Sequence, residues 1–191
     1  MKTIVLATHN KHKLEEFKAM LGDKMTLISL DEIDLHDEIP ETGTTFTENA
    51  RQKASYVFDK IEGKYDVMAD DSGLEVEALD GEPGVWSARY AGEGCSSQDN
   101  IDKLLKKMNG ITKRDARFVT VLALISKNGI RYFQGEVRGF ITEKMNGKGG
   151  FGYDPIFIPD GETLSFGELP AETKNKMSHR ANAIKELLKK L

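Results

Sequence analysis

The first thirty residues alternate between apolar, β-rich segments and one amphipathic segment, and this order constrains the fold most. Residues Thr3–Ala7 form a short apolar run that is typical of a buried strand. In Lys11–Leu21 the apolar side chains recur at helical spacing, and Gly22 follows as a stop signal. Met25–Leu30 has the composition of a second strand. A strand, a helix and a strand in this order predict a parallel β-α-β unit, and therefore an α/β fold.

The rest of the chain adds helices and a long hairpin. Thr45 and Glu48 have the spacing of a capping box that opens a second helix. The other predicted elements are strands at Val67–Asp70 and Leu74–Leu79, a helix capped by Ser97, strands at Phe118–Ser126 and Ile130–Ile141 joined by an Asn128-Gly129 turn, and a last helix that opens at Ser178 and buries Leu191. The pattern predicts a mixed sheet in a single domain that spans residues 1–191.

Composition narrows the class of protein. Hydrophobic residues make up 39% and charged residues 30% of the chain, which suits a globular rather than a disordered protein. No apolar run approaches the roughly 18 residues that span a bilayer, and the N-terminus turns polar too soon for a signal peptide. The net charge of -4 argues against nucleic-acid binding without sequence preference. The single cysteine, Cys95, excludes an intrachain disulfide framework and indicates a reducing cytoplasm.

A polar segment separates the first strand from the first helix. It consists of Thr8, His9, Asn10, Lys11, His12 and Lys13. Ligands of open α/β sheets bind at the carboxyl ends of strands, and backbone N–H groups at a helix start favour phosphate. Two interpretations stay open, a phosphate-binding turn and an ordinary capped turn. The Walker pattern, a glycine-rich loop that ends in Lys-Ser/Thr, is absent from the sequence.

Lys53 falls within the apolar stripe of the second helix, between Ala50 and Ala54. A lysine in such a stripe either extends its ammonium group to water at the edge of the stripe or pairs with an anion. The pattern alone leaves both interpretations open.

Two adjacent acids close the apolar run that begins at Val67. We expect the strand to end at Asp70 and Asp71, so that both carboxylates reach one cleft. Crowded carboxylates suit Mg²⁺, and one of them could instead act as a base whose pKa its neighbour raises. An Asp-Ser-Gly turn that includes Ser72 is the alternative. Glu41 is a candidate third carboxylate, although the pattern alone favours a solvated side chain in its acidic segment.

The glycine-rich loop from Gly147 to Pro155 matches the spacing G-x-G-x-x-G. Tyr-Asp-Pro follows, and no helix can start there, so the match does not indicate a dinucleotide site. Phe151 and Tyr153 suit a wall against which a planar base stacks. A flexible loop is the alternative.

Basic residues surround the start of the last helix. If Ser178 is the N-cap, His179 and Arg180 occupy the first turn, where cations are unfavourable unless an anion binds. Lys174 precedes them along the chain. A mildly frustrated helix start is the alternative interpretation.

Taken together, six motifs resemble those of the inosine/xanthosine triphosphate pyrophosphatase family. In chain order they are T-H-N-K-H-K, E-T-G-T-T-F-x-E-N-A, A-D-D-S-G-L, P-G-V-W-S-A-R-Y, G-G-F-G-Y-D-P-I-F and S-H-R-x-x-A. The resemblance implies an elongated mixed sheet flanked by helices, with two α/β lobes and a central substrate cleft. It implies Mg²⁺-dependent hydrolysis of ITP, dITP and XTP to the monophosphate and pyrophosphate, which clears deaminated purines from the nucleotide pool. It also implies a homodimer.

The resemblance further implies a role for each matching residue. Asp71 would be the base that activates water and, with Glu41, would hold Mg²⁺, with Asp70 beside them. Ser72 would contact the substrate. The other substrate-binding residues would be Thr8, His9, Asn10, Lys11, His12, Lys13 and Lys53 for phosphate, and Phe151, Gly152, Tyr153, Asp154, Lys174, His179 and Arg180 for the purine. His9 stands where bacterial relatives often carry glycine, a departure that we expect to alter the turn only slightly.

Two other functions remain as alternatives. One is a nucleotide pyrophosphatase of the same scaffold that acts on another base, such as a modified pyrimidine. The other is a nucleotide-sensing module without turnover, against which the acids Asp70 and Asp71 argue. We expect no nucleic-acid or membrane partner.

Overall fold

The computed structural model of the chain describes residues 2–190. The helices are α1 (Lys11–Leu21), α2 (Phe46–Lys60), α3 (Ser97–Lys107), α4 (Ala171–Met177) and α5 (His179–Leu188). The strands are β1 (Lys2–Leu6), β2 (Met25–Ile28), β3 (Asp66–Val76), β4 (Asp115–Ser126), β5 (Gly129–Ile141) and β6 (Phe157–Pro159). Short 3-10 helices lie at Gly22–Lys24, Asp31–Ile33, Glu77–Leu79, Gly84–Arg89 and Asp154–Ile156. Leu191, expected on the buried face of the last helix, lies outside the described residues.

The predicted β-α-β unit is present at the start of the chain. β1 pairs in parallel with β2 on one side and with β3 on the other. Ile4, Val5 and Leu6 of β1 are fully buried, as is usual for a parallel strand that is covered on both faces. Because β2 and β3 flank β1, the connection through α1 leads from β1 to β2, and the connection through α2 leads from β2 past β1 to β3.

Over residues 2–190, the six strands form one sheet in the order β2-β1-β3-β4-β5-β6. β4 and β5 are neighbours joined by a turn at residues 127–128, so the predicted hairpin is confirmed. β6 runs antiparallel to β5. The prediction of an α/β fold with a mixed sheet and flanking helices is therefore confirmed. Among residues 2–190, none of the helices has the length and apolar character that crossing a membrane requires.

The chain divides into two compact units. Within the described residues, the first comprises 2–71, 120–135 and 183–190, and the second comprises 72–119 and 136–182. β3, β4 and β5 each contribute residues to both units. The single domain expected for residues 1–191 stays a prediction.

Each unit has a hydrophobic core of its own. In the first unit, Leu6 of β1, Phe17 of α1 and Leu187 of α5 belong to one buried cluster. In the second unit, the rings of Phe118 and Phe157 pack edge to face with centroids 4.7 Å apart. Such a core gives each unit the rigidity to position side chains at its surface.

Apart from shifts of one to three residues at the ends of other strands, three features differ from the prediction. β3 runs without a break over Asp66–Val76, whereas we expected one strand to end at Asp70 and another to span Leu74–Leu79. The N-cap of α3 is Ser96 and not Ser97, since the Ser96 side chain accepts a backbone N–H of the first turn. α4 was not predicted, because its seven residues show no apolar periodicity.

Candidate active site

Polar residues follow β1 at a topological switch point of the first unit. The chain leaves β1 for β2 on one side of it, whereas β3 lies on the other side of β1. Crevices at such points bind ligands in open α/β sheets. The pairing of the two strands ends at Met68, whose carbonyl accepts the N–H of Ala7 at 2.8 Å. Beyond that point β1 passes into the polar turn, while β3 continues to Asp70 and Asp71. The predicted phosphate turn and the predicted acid pair therefore lie at the same edge of the sheet.

The turn between β1 and α1 is capped at its helix end. Asn10 is the N-cap, and its Oδ1 accepts the backbone N–H of Lys13 at 3.1 Å. Oγ1 of Thr8 accepts the N–H of Asn10 at 3.2 Å. Three further side chains of the turn are exposed: His9, Lys11 and His12. The capped turn is thus present, and phosphate binding by its exposed groups stays a prediction.

Lys13, at the end of this turn, reaches back to β3. Its Nζ lies 2.9 Å and 3.1 Å from the two carboxylate oxygens of Asp70. The side chain of Asp70 is 0% exposed, whereas that of Lys13 keeps 16% exposure. The ion pair compensates the buried charge of Asp70 and ties the first turn of α1 to the sheet.

Lys53 lies inside the first unit rather than at its surface. α2 begins with the predicted capping box, and Lys53 on its buried face is 5% exposed. Its Nζ donates to Oδ1 of Asp71 at 3.1 Å and to Oε1 of Glu41 in a very short contact. Burial alone would lower the pKa of Lys53, but the carboxylates of Asp71, Asp70 and Glu41 outweigh burial and raise it. Of the two interpretations, pairing with an anion is therefore correct.

Asp70 and Asp71 lie within β3, so the expectation that the strand ends at them is wrong. Aspartate is disfavoured in strands, but lysines from two different helices, Lys13 and Lys53, neutralise the pair and let the strand continue. Burial is the largest influence on the pKa of Asp71 and raises it, Lys53 and Lys13 lower it, and Glu41 raises it, so that the net shift is upward. A buried carboxyl group with a raised pKa is suited to accept a proton.

Glu41 is held beside Lys53 by the segment that follows it. Four consecutive backbone N–H groups, at residues 42–45, donate to side chains of α2. The acceptors, at 2.7–3.1 Å, are Gln52 Oε1 for residue 42, Asn49 Oδ1 for residue 43, and Glu48 Oε2 for residues 44 and 45. These bonds explain why Glu41 is paired, although its acidic segment favoured a solvated side chain.

These residues form what we term the acid–lysine cluster: Lys13, Glu41, Lys53, Asp70 and Asp71. Carboxylate oxygens are the donors that Mg²⁺ prefers, so the chemistry of the cluster fits that ion. The Nζ of Lys53 lies between Glu41 and Asp71. Within residues 2–190, no three acidic, histidine or cysteine side chains gather as a ready-made metal site. Metal binding by Glu41 and Asp71 stays a prediction.

In the second unit, a loop and two helices bring together the predicted base-contacting residues. Nζ of Lys174 lies 2.6 Å from Oδ2 of Asp154 and 4.8 Å from the centre of the Phe151 ring. The guanidinium group of Arg180 lies 5.2 Å from the centre of the same ring. We term Phe151, Asp154, Lys174, His179 and Arg180 the ring–cation cluster.

His179 and Arg180 occupy the first turn of α5, as predicted. Oγ of Ser178 accepts the N–H of Ala181 at 3.3 Å, which is an N-cap bond. Both basic side chains are 3% exposed, and the imidazole of His179 stacks on Phe118 with centroids 4.8 Å apart. Ring contacts thus accompany the cations at this helix start, and the binding of an anion there stays a prediction.

The glycine-rich loop folds around the carboxylate of Asp154. Gly150 has a φ of +71°, and a Cβ there would lie 2.1 Å from Oδ2 of Asp154. The same oxygen accepts the N–H of Phe151 at 2.8 Å. Tyr153 is 4% exposed, and its hydroxyl donates to the carbonyl of Ser87 at 3.0 Å. The contacts of Tyr153 therefore lie in the core, and Phe151 is the ring that is more open to a ligand.

Sequence reasoning missed two features of these clusters. Asn49 is 1% exposed, and its Nδ2 donates to Oδ2 of Asp71 at 3.1 Å. Its position directly after the capping box, at the start of α2, was the one feature of the sequence that could have indicated it. The second feature is α4, which carries the buried Lys174. Ser72 and Gly152 are both half-buried, and their contacts with substrate stay predictions.

Comparison with known proteins covers the whole chain. The model of the Ham1 family matches residues 4–190. A dITP/XTP pyrophosphatase of Porphyromonas gingivalis is 47% identical over 188 residues, which cover 98% of this chain and 96% of that protein. A dITP/XTP pyrophosphatase of Bacillus subtilis is 47% identical over 195 residues, which cover 100% and 98%.

Solved structures agree with these sequence matches. The Ham1 protein of Staphylococcus aureus superposes with a TM-score of 0.87 at 42% identity, over 97% of this chain and 96% of that one. A HAM1 protein of Coxiella burnetii superposes with a TM-score of 0.89 at 36% identity, over 100% of both chains.

Proposed function

Because the chain belongs to the Ham1 family, as its six motifs indicated, we propose that it hydrolyses the non-canonical purine triphosphates ITP, dITP and XTP. The products are the nucleoside monophosphate and pyrophosphate. One observation carries the proposal, the full-length match at 47% identity to relatives named dITP/XTP pyrophosphatase. In the cell the reaction removes deaminated purines before they enter DNA or RNA.

The polar turn and the two lysines of the acid–lysine cluster bind the triphosphate in this proposal. A triphosphate carries about four negative charges, which need cations and N–H donors close by. Lys13 and Lys53 supply positive charge, and the exposed groups between Thr8 and Lys13 supply donors. Ser72, the residue after Asp71, adds a hydroxyl.

Asp71 acts as the general base. It takes a proton from a water molecule, whose oxygen attacks the α-phosphorus as the bond to the bridging oxygen breaks. Pyrophosphate leaves with the electron pair of that bond. The raised pKa of Asp71, which is caused first by burial, makes its carboxylate a stronger base than an exposed aspartate.

Glu41 and Asp71 are the residues that would hold Mg²⁺, with Asp70 beside them. When bound, the ion would neutralise charge on the phosphates and on the leaving pyrophosphate. The carboxylates of Glu41 and Asp71 already share one positive group, the ammonium of Lys53, which supports the assignment.

The ring–cation cluster binds the purine in this proposal. Phe151 offers a ring face for stacking, and Lys174, His179 and Arg180 can each donate a hydrogen bond to O6 of hypoxanthine or xanthine. Adenine carries an amino group at this position, which would face donors instead of an acceptor. Asp154 holds Lys174 in place through their 2.6 Å ion pair.

A nucleotide panel with product identification tests the proposal. Purified protein is given ITP, dITP, XTP, GTP, ATP, dTTP and UTP, with and without Mg²⁺, and release of pyrophosphate is measured. We expect turnover of the first three that requires Mg²⁺ and falls by about 10²–10⁴-fold in Asp71→Asn. Preference for a pyrimidine, or binding without turnover, would support one of the alternative functions instead.

Assembly and compartment belong to the same proposal. We place the protein in the cytoplasm, because its one cysteine suits a reducing compartment. We also propose that it forms a homodimer. Light scattering of the purified protein tests the homodimer, and fractionation of cells tests the compartment.

A further inference from the structure

Asn49 connects the two acids of the proposed reaction. It is 1% exposed on the buried face of α2. Its Nδ2 donates to Oδ2 of Asp71 at 3.1 Å, and its Oδ1 accepts the N–H of Gly43 at 2.7 Å. Gly43 lies two residues after Glu41. One buried amide group therefore contacts both Asp71 and the segment that carries Glu41.

The orientation of this amide is determined by its partners. The N–H of Gly43 can only donate, so it requires the amide oxygen, and the carboxylate of Asp71 can only accept, so it requires the NH₂ group. The approach is also close. A Cβ on Gly43 would lie 2.8 Å from Oδ1 of Asn49 and 2.6 Å from Cβ of Glu48. Glycine at this position is what lets the segment reach Asn49.

The carboxylate of Asp71 is thereby held at both oxygens. Lys53 donates to Oδ1 and Asn49 donates to Oδ2, each at 3.1 Å. Two donors from successive turns of one helix fix the plane of the carboxylate relative to α2. A base fixed in this way meets its water in one orientation, which is worth a large factor in rate.

We propose that Asn49 is a positioning residue that fixes the Asp71 carboxylate relative to the segment that carries Glu41. The inference rests on the proposed function of Asp71 as the base. Aspartate is the informative replacement at position 49, because it has the same shape and can still accept the N–H of Gly43. Its second oxygen would face Oδ2 of Asp71, so Asn49→Asp keeps the contact with Gly43 but replaces the hydrogen bond to Asp71 with a repulsion.

Asn100 provides a matched control. It is also buried, at 5% exposure, and lies in the second unit on α3. Its Oδ1 accepts the N–H of Ala91 at 2.7 Å, and its Nδ2 donates to the carbonyl of Ala88 at 3.1 Å. Asn100→Asp therefore makes the same chemical change at similar burial, with no contact to Asp71.

Steady-state kinetics with dITP separate a positioning role from a structural one. We expect Asn49→Asp to lower kcat by about 10- to 100-fold while KM changes by less than about threefold, since the phosphate-binding groups are intact. We expect Asn100→Asp to lower the unfolding temperature but to leave kcat within about twofold. A kcat for Asn49→Asp within twofold of that control would overturn the proposal.

A double-mutant cycle with Asp71→Asn tests whether Asn49 acts through Asp71. In the Asp71→Asn background, Asn49→Asp should change the residual rate by no more than about twofold. An equal loss in both backgrounds would mean general damage and would overturn the proposal. If wild-type protein hydrolyses no nucleotide, or Asp71→Asn is fully active, it is the proposed function that fails.

Gly43→Ala is a second test of the positioning role of Asn49, for use if Asn49→Asp does not fold. The new methyl group would lie 2.6 Å from Cβ of Glu48 and 2.8 Å from Oδ1 of Asn49, so the segment at position 43 and the Asn49 amide must move apart while the amide keeps its chemistry. We then expect a loss in kcat of about tenfold or more at nearly constant KM. An unchanged kcat in folded Gly43→Ala would overturn the proposal.

Discussion

The ammonium nitrogen of Lys53 lies 3.1 Å from Oδ1 of Asp71, and the two side chains are only 6% and 9% exposed. Each residue alone would be unfavourable where it lies, the lysine in the apolar face of a helix and the aspartate in a buried strand. Together they compensate each other's charge. Their positions are therefore interdependent, and removal of one partner exposes the cost of burying the other.

Lys53→Met is expected to keep the fold at reduced stability. Methionine fills the volume of the lysine stem but leaves Asp71 and Glu41 without their shared cation. Loss of one partner from a buried ion pair typically costs about 3–5 kcal/mol. Urea unfolding should show a loss in this range, and kcat/KM for dITP should fall as well. Adding Asp71→Asn should restore part of the stability, because it removes the uncompensated charge.

Lys60→Met is the control for this prediction. Lys60 lies on the same helix and pairs with Asp37 at 2.7 Å, but its side chain is 48% exposed. Its replacement should change stability little, because solvent screens the pair. Equal losses in the two variants would contradict the role that we assign to the buried pair.

The capping box of α2 predicts a pH dependence of stability. Bonds from the backbone N–H and hydroxyl of Thr44 hold the pKa of Glu48 below its ordinary value, with Thr45 contributing. A carboxyl whose pKa is lower in the folded state stabilises the fold above its unfolded pKa, about 4.3, and loses this effect as pH falls through the folded pKa. The free energy of unfolding of Glu48→Gln should therefore lie below that of wild type at pH 7 and converge with it below pH of about 4.

Glu38→Gln is the matched variant for the pH series. Glu38 is an exposed glutamate outside the capping box. Its difference from wild type should stay small across the series. A Glu48→Gln difference that persists unchanged into acid would mean that shape, and not charge, is what this side chain contributes.

The sequence was sufficient to predict β1, α1, the capping box and the hairpin, because local pattern and final environment agree there. At Asp70 and Asp71 they disagree. Two adjacent aspartates predict a strand end, and only the lysines that reach them from α1 and α2 explain why β3 continues. Those contacts span 57 and 18 residues of sequence, so no local pattern contains them.

The ring–cation cluster also depends on contacts between distant residues that no local sequence pattern contains. The resemblance to a family identified Lys174, but the helix that carries it was not predicted, because α4 is short and its N-cap, Pro170, makes no side-chain capping bond. Its position depends on the ion pair with Asp154, 20 residues earlier in the chain. Asn49 was missed for a related reason: an asparagine in a helix has no distinctive pattern until its partners are known.

Gly150→Ala and Gly152→Ala form a matched pair in the loop around Asp154. Both glycines have positive φ, +71° and +59°, so alanine adds backbone strain of about 1–2 kcal/mol at either position. Only at Gly150 would the new Cβ meet a neighbour, Oδ2 of Asp154 at 2.1 Å. Thermal unfolding should therefore show a larger loss for Gly150→Ala. Equal losses of stability would mean that the Asp154 side chain can move away at little cost and that its close contact with position 150 is not important for the loop.

Arg180 tests the proposed reading of the purine. It is 3% exposed, and its guanidinium group lies 5.2 Å from the centre of the Phe151 ring. Hypoxanthine offers an acceptor at O6, whereas adenine offers a donor in the same place. A buried donor left without an acceptor costs roughly 1–3 kcal/mol, so a site built from donors should favour ITP over ATP by a large factor.

Arg180→Ala should therefore lower kcat/KM for ITP much more than for ATP, which narrows the ratio between the two substrates. Lys176→Ala serves as the control, since Lys176 lies on the preceding helix with 72% of its side chain exposed and pairs with Glu172. We expect both rates of that variant to stay near wild type. The unfolding temperature of Arg180→Ala is measured alongside, because loss of a buried arginine also removes packing. If Arg180→Ala loses ITP and ATP hydrolysis by the same factor while remaining folded, Arg180 binds phosphate or supports the fold, and it does not read the base.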